Sequence, residues 1–289
     1  MILSRGERLF NAINILIMAV IMMVTLFPLL YIVSVSLTPL TVLYKYGGFR
    51  IIPPEITFDA YRYIFSTPMI PQAFMNSVAI TALGTTVNMV LTVLMAYPLS
   101  RKRMPGRNAI LLLVLFTMLF GGGTIPTYIL VKSLGLLNSY WAVILPGAIS
   151  SFNLLVMKGF FESLPDELFE AARMDGASEW RVLGSIALPL SMPVLATLGL
   201  FYAVAHWNAF FEPMMYLTDQ RLQPLQVILR NILSDTVKAA EFAPDAGYIL
   251  PGETMKMATV VVSIVPLLLV YPWLQKYFTK GVLVGSIKG

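Results

Sequence analysis

Cysteine is absent from the 289-residue chain, and histidine occurs once, at His206. Without thiols there is no disulfide framework and no thiolate metal site, and the redox compartment stays open. A single imidazole rules out the His-Glu-x-x-His zinc site. Charge is scarce as well: Lys, Arg, Asp and Glu make up 12% of residues, about half of what a soluble domain carries. There is no Gly-x-x-x-x-Gly-Lys-Ser/Thr sequence, so the chain has no phosphate loop with which to hold ATP. Paired acids or Ser/His pairs inside apolar runs, which an intramembrane protease needs, are missing too. Only Glu212 falls inside such a run, near one end and with no partner acid at depth.

What the chain has in abundance is long apolar runs. A bilayer crossing takes about 20 residues of helix, and backbone in lipid must satisfy its own hydrogen bonds, so helices are the default. The runs predict an all-α integral membrane protein with six transmembrane helices, over 12–37, 73–99, 108–134, 140–157, 191–217 and 256–274. Pro28 is a kink candidate in the first. The run is too long for the core of a cleaved signal peptide, and no small-x-small site follows it. Arg101, Lys102, Arg103 and Arg107 crowd the short loop after the second span. By the positive-inside rule that loop is cytoplasmic. Both termini then lie inside, in agreement with Arg5 and Arg8 at one end and Lys276, Lys280 and Lys288 at the other. The modest basic excess reads as topology, with no nucleic-acid partner.

Two features inside the spans point to a path. Gly121-Gly122-Gly123 and Pro126 interrupt the third span, and broken helices either line a cavity or kink against a neighbour. Polar and aromatic side chains that suit sugar hydroxyls and ring faces gather at Asn76, Asn88, Tyr128, Asn153, His206, Trp207 and Asn208. Such groups face the interior of a bundle, where they either line a pore or bond helix to helix. The lone imidazole could titrate, but no partner for it is legible.

The segment 159–190 is polar and lies between two spans on the cytoplasmic side. Ser163 suits a helix N-cap, Pro165 its first turn, and Asp166 and Glu167 its positive end. Leu168, Ala171 and Ala172 would form an apolar strip, and Gly176 would end the helix in the left-handed conformation. A second short helix is expected over 178–186 with Trp180, Leu183 and Ile186 on one face, ended by Leu188-Pro189. Small residues at Ala171 and Ala172 admit close approach, and Glu170 and Asp175 can meet basic groups. An amphipathic helix lying on lipid is the alternative, though its acidic side chains suit anionic lipid poorly.

The spacing Glu170-Ala171-Ala172, three residues, Gly176, nine residues, Ile186, one residue, Leu188-Pro189 resembles the EAA loop of permease subunits in binding-protein-dependent ABC importers. The runs 170–178 and 188–193 and the tail 275–289 are similar to the carbohydrate-importer, maltose-type branch. The stretches 122–128 and 201–208 are similar to permeases of oligosaccharide importers, among them ones for acidic sugars such as aldouronates and alginate oligomers. The resemblance covers essentially the whole chain. It implies one permease domain over 1–289, with the type I importer fold, in a bacterial cytoplasmic (inner) membrane. Loop 159–190 would be the coupling element, with Glu170, Ala171, Ala172, Asp175, Gly176 and Ala177 meeting the ATPase. The implied partners are a homologous second permease chain, two ATPase subunits, an extracytoplasmic solute-binding protein, an oligosaccharide and membrane lipid. ATP and Mg would sit on the ATPases, with no cofactor, metal or catalytic residue on this chain. Asn76, Tyr128, Asn153, His206, Trp207 and Asn208 are the substrate-path candidates. The class-level alternative is a secondary sugar transporter driven by an ion gradient.

The segment 218–255 reads as outer. Leu225, Ile228, Leu229, Ile232 and Leu233 have helical spacing, predicting an amphipathic helix over 223–240. The stretch 242–252 has loop punctuation and exposed aromatics. In maltose-type relatives a loop here reaches the binding protein, so Pro244, Asp245, Gly247 and Tyr248 are contact candidates, with a plain surface loop as the other reading.

Overall fold

A computed structural model describes residues 5–46, 52–234 and 252–286. The described residues are helical and contain no strand. Contacts divide the chain into two compact units, 1–71 with 229–265, and 72–228 with 266–289.

The first unit holds α1 (Arg5–Ser36), α2 (Leu40–Tyr46) and α3 (Asp59–Ser66). Helix α1 runs unbroken through Pro28, and its apolar window is wholly exposed. That is what a helix bathed in lipid requires, since apolar side chains lose nothing by facing acyl chains. The loop after it is pinned where Thr57 donates to the Leu37 carbonyl at 2.8 Å and the Ser36 and Tyr61 hydroxyls meet at 2.7 Å.

The second unit is built on α4 (Met69–Ser100), which has 32 residues and begins in the first. The third expected span is broken as the glycines suggest. Helices α5 (Arg107–Leu119) and α6 (Thr124–Ser133) meet at 114°, and Gly123 at φ +83° precedes the second. The fourth expected segment is not one helix. A short α7 (Tyr140–Ile144) is capped by Ser139, and α8 (Ser151–Ser163) by Ser150. Pro146-Gly147 between them cannot continue a helix cheaply. The fifth, α11 (Met192–Asn208), ends before Ala209, and α12 (Phe211–Tyr216) restarts beyond it. The sixth lies in α14 (Glu253–Ser286). The membrane architecture is thus helical and multi-pass as expected, with discontinuities at three of the six segments.

The loop between α8 and α11 differs from the sequence reading in detail. Ser163 does not cap α9 (Asp166–Met174). It ends α8, donating to the Phe160 carbonyl, and Pro165 takes the N-cap position without a side-chain bond. The following helix, α10 (Glu179–Leu190), is capped by Ser178 and does not stop at Ile186. It widens into a π turn over Leu183–Ala187, where the Leu188 amide reaches back to the Leu183 carbonyl. Pro189 explains this: its ring crowds the carbonyl four residues back and it offers no donor, and a wider turn relieves both. The chain then bends by 84° into α11. The expected outer helix is α13 (Leu225–Ser234), with Leu225, Ile228 and Ile232 buried; residues 235–240 lie outside the described residues.

One apolar cluster ties this unit together. Tyr97 and Leu99 of α4, Phe161 of α8, Phe169 of α9, Val182 of α10 and Leu198 of α11 all belong to it. The polar loop is therefore rooted in the membrane helices.

Candidate functional site

The first half of the site is the loop bearing Glu170. Helix α9 ends in a Schellman arrangement: the Gly176 amide donates to the Arg173 carbonyl and the Ala177 amide to the Ala172 carbonyl, both at 3.0 Å. Gly176 has φ +75°, a conformation open to glycine at no steric cost. Ala172 and Ala177, joined by that bond, both pack on the apolar cluster. Glu170, Ala171, Asp175 and Gly176 remain exposed. The expected apolar strip is different, however. Phe169, 1% exposed, is the anchor, while Leu168 faces out. Likewise Trp180 does not pack inward and is 73% exposed; Val182, Leu183 and Ala187 are buried instead.

Glu179 joins the two loop helices. It accepts from Arg173 Nε at 2.9 Å and from the Tyr97 hydroxyl at 2.8 Å. The Arg173 hydrogen bond holds its carboxyl below the usual value; burial opposes this, and Tyr97 adds to it. The basic loop is engaged as well. The Arg107 guanidinium donates to the Leu99 carbonyl at 2.8 Å and pairs with Glu162, which also holds Lys158 at 2.7 Å.

The second half is a cavity of about 900 Å³. Gly121, Gly122 and Gly123 line it, so the break in the third span borders open space. Asn153, His206 and Asn208 line it too. The other three path candidates do not. Asn76 is buried and saturated: its amide donates to the Arg221 and Gln223 carbonyls at 2.8 and 3.0 Å, and it accepts from Tyr140 at 2.8 Å. Tyr128 stacks on Tyr216 at 6.2 Å between centroids. Trp207 is buried and meets Phe74 edge-on at 5.8 Å. All three bind helix to helix.

His206 has a partner that the sequence did not reveal. Asn88 Nδ2 lies 3.0 Å from its Nε2. With the amide nitrogen on that side, Asn88 donates and Nε2 accepts. The imidazole lies directly over Gly84, one turn from Asn88 on α4; a Cβ there would sit 2.5 Å from Nε2. Next to it the buried Tyr202 hydroxyl meets Thr92 Oγ1 at 2.8 Å and accepts from the Ser150 amide at 3.1 Å. Gly84, Thr92 and Tyr202 were not singled out by sequence reasoning. The Gly84-x-x-x-Asn88 pair inside an apolar run is the one signal that could have found them. Phe152, Phe201 and Phe211 add ring faces, and among the described residues Glu212 is the one charged side chain of the lining, with no Lys or Arg. Among the described residues no group of His, Asp and Glu could hold a metal. Pro244, Asp245, Gly247 and Tyr248 lie outside the described residues.

The geometry is that of a helical membrane protein with a sugar-sized polar cavity and a rooted polar loop, and comparisons with known proteins agree. The model of the family "Binding-protein-dependent transport system inner membrane component" matches residues 2–284. The chain is 47% identical over 289 residues to protein LplC of Bacillus subtilis (strain 168), covering 99% of this chain and 97% of that one. It is 49% identical over 243 residues to the same organism's polygalacturonan/rhamnogalacturonan transport system permease protein YtcP, covering 83% and 85%. Among solved structures it is similar to a chain of a bacterial ABC transporter involved in the import of the acidic polysaccharide alginate. There the TM-score is 0.87 and the identity 32%, over 96% of this chain and 99% of that one. The chain therefore belongs to the inner-membrane permease components of binding-protein-dependent ABC importers, multi-pass transport subunits whose ATP hydrolysis lies on separate polypeptides.

Proposed function

We propose that this permease forms half of the pore of an oligosaccharide importer and works by alternating access. Residues 1–289 act as one permease domain, with 159–190 as its cytoplasmic docking loop. A homologous second permease completes the pore, two ATPases dock from the cytoplasm, and a solute-binding protein delivers sugar from outside. Both termini are cytoplasmic in this reading. ATP binding closes the ATPases, draws the docking loops together and turns the cavity outward; hydrolysis resets it.

The observation that carries the reading is the pairing of two sites in one compact unit: the exposed Glu170-Gly176 face on its Schellman corner, and the cavity beside the glycine break. Glu170, Ala171, Asp175 and Gly176 present the docking face, while Ala172 and Ala177 seat it on the membrane helices. In the cavity, Asn153, His206 and Asn208 offer hydrogen bonds to hydroxyls, and Phe152, Phe201 and Phe211 offer faces for ring stacking. A uronate carboxylate calls for Arg or Lys, and among the described residues this lining has neither. For acidic oligosaccharides like those named for the relatives, the balancing cations are then expected on the second permease. On sequence resemblance, Pro244, Asp245, Gly247 and Tyr248 meet the binding protein.

The ion-gradient alternative is disfavoured by the family, whose importers are driven by separate ATPases. Transport by the purified complex in vesicles decides between them. Uptake is expected with ATP on the ATPase side and no ion gradient; uptake on an imposed gradient without ATP overturns the reading.

A further inference from the structure

The basic loop 101–107 entered as a mark of topology, yet its first residue is not a free surface charge. Arg101 follows Ser100, the last residue of α4, and its guanidinium carbon lies 3.7 Å from the Phe169 ring centroid and 4.7 Å from that of Tyr97. Its Nε and Nη2 are buried and have no hydrogen-bond partner among the described residues. With two of its donors buried, the cation rests on the ring faces, and this attraction grows as water is removed. Two spaces, of about 540 and 710 Å³, share Arg101, Arg103 and Arg173 in their walls, so Arg101 sits with two other cations at the border between them.

We infer that Arg101 is a positioning residue that carries movement of the docking loop into helix α4. This rests on the docking reading above. Phe169 precedes Glu170 on α9 and points inward where Glu170 points outward, so a displacement at the docking face moves the Phe169 ring. The cation resting on that ring is anchored to the end of α4. One turn back, Tyr97 is bonded to Glu179 of α10, which also holds Arg173 of α9. The edge-on contact of the Tyr97 and Phe161 rings, at 5.8 Å between centroids, keeps that turn in the apolar cluster. Both loop helices are thus tied to the same end of α4, at Tyr97 in its last turn and at Arg101 just beyond it. Further along, the same helix carries Gly84 and Asn88, which seat His206 at the cavity. A packed element with two tied ends transmits a shift as a unit.

A lysine at 101 keeps the charge, and with it the topology, but lacks the flat guanidinium that stacks on rings. The test uses the complete importer in vesicles. Asn208→Cys in the otherwise cysteine-free chain reports cavity access by maleimide labelling, with and without MgATP plus vanadate. The wild-type response to nucleotide sets the scale. In Arg101→Lys the ATPase subunits should co-purify and hydrolyse ATP within about twofold of wild type, while the labelling response falls at least fivefold. Tyr97→Phe, which keeps the ring and loses only the bond to Glu179, should reduce the response about threefold. A full labelling response in Arg101→Lys overturns the inference. So does loss of the ATPase subunits from that variant, which would make Arg101 a docking contact. Glu170→Lys is the separate control: if it keeps its ATPase subunits and its response, the docking reading fails, whatever Arg101 does.

Discussion

Replacing Gly84 by alanine adds one methyl group to a helix in which alanine is the better helix former, so local propensity favours the change by about 1 kcal/mol. The tertiary structure forbids it. The new Cβ would lie 2.5 to 2.8 Å from three atoms of the His206 ring. Overpacking of this kind costs about 1–3 kcal/mol. The ring must leave, which leaves the Asn88 amide, at 2% exposure, with the long 3.5 Å contact to the Gly147 carbonyl, and a poorly paired buried amide costs about 1–3 kcal/mol more. Double-mutant measurements between membrane helices run lower, near 0.6 kcal/mol per bond. A net loss of about 1–5 kcal/mol follows, seen as a fall in apparent melting temperature on the order of 5 °C in detergent. Because the displaced ring moves into the cavity, vesicle transport should fall about tenfold for each 1.4 kcal/mol lost from the productive geometry. The decisive comparison is the double variant. With His206→Ala already made, the extra methyl has room, so Gly84→Ala/His206→Ala should match His206→Ala alone. A silent Gly84→Ala refutes the reasoning. So does simple additivity, with Gly84→Ala as harmful in the His206→Ala background as in the wild type.

Three further outcomes are expected. Gly176→Val places a β-branched residue at φ +75° and should abolish binding-protein-stimulated ATP hydrolysis, whereas Gly176→Asn, which tolerates that region, should retain part of it. Glu179 has a lowered pKa, so the stability it lends is present above the ordinary carboxylate value and is lost as pH falls through the lowered one. Protection against hydrogen exchange across 166–190, corrected for the intrinsic pH dependence, should therefore fall on acidification below about pH 4.5 in the wild type, while Glu179→Gln is less protected at neutral pH and responds less; identical pH profiles would count against the Arg173–Glu179–Tyr97 linkage. For topology, Ser100 is buried and a poor reporter, so cysteines belong at the exposed Lys102 and Glu55. An impermeant reagent applied outside should label position 55 and spare 102, and the reverse would overturn the positive-inside assignment.

The membrane class, the six apolar segments, the lack of an ATP site and the Glu170-to-Gly176 corner were legible in the sequence because each depends on local chemistry. Run length decides whether a helix can span, and a left-handed C′ position asks for glycine wherever it occurs. The breaks at Gly121–Gly123 and near Pro189 were likewise written locally, although how a π turn would absorb Pro189 was not. Which polar side chains face the cavity was a different matter. Spans α4 and α11 are apolar all round, so no periodic contrast orients them, and Asn76 looks as good a candidate as Asn208. Packing alone made the first a saturated helix tie and the second a cavity wall. The same holds for Arg101 and Gly84. One reads as a surface charge and the other as a flexible residue, until contacts distant in sequence, with Phe169 and His206, give the first a pair of rings and the second an imidazole in place of a side chain.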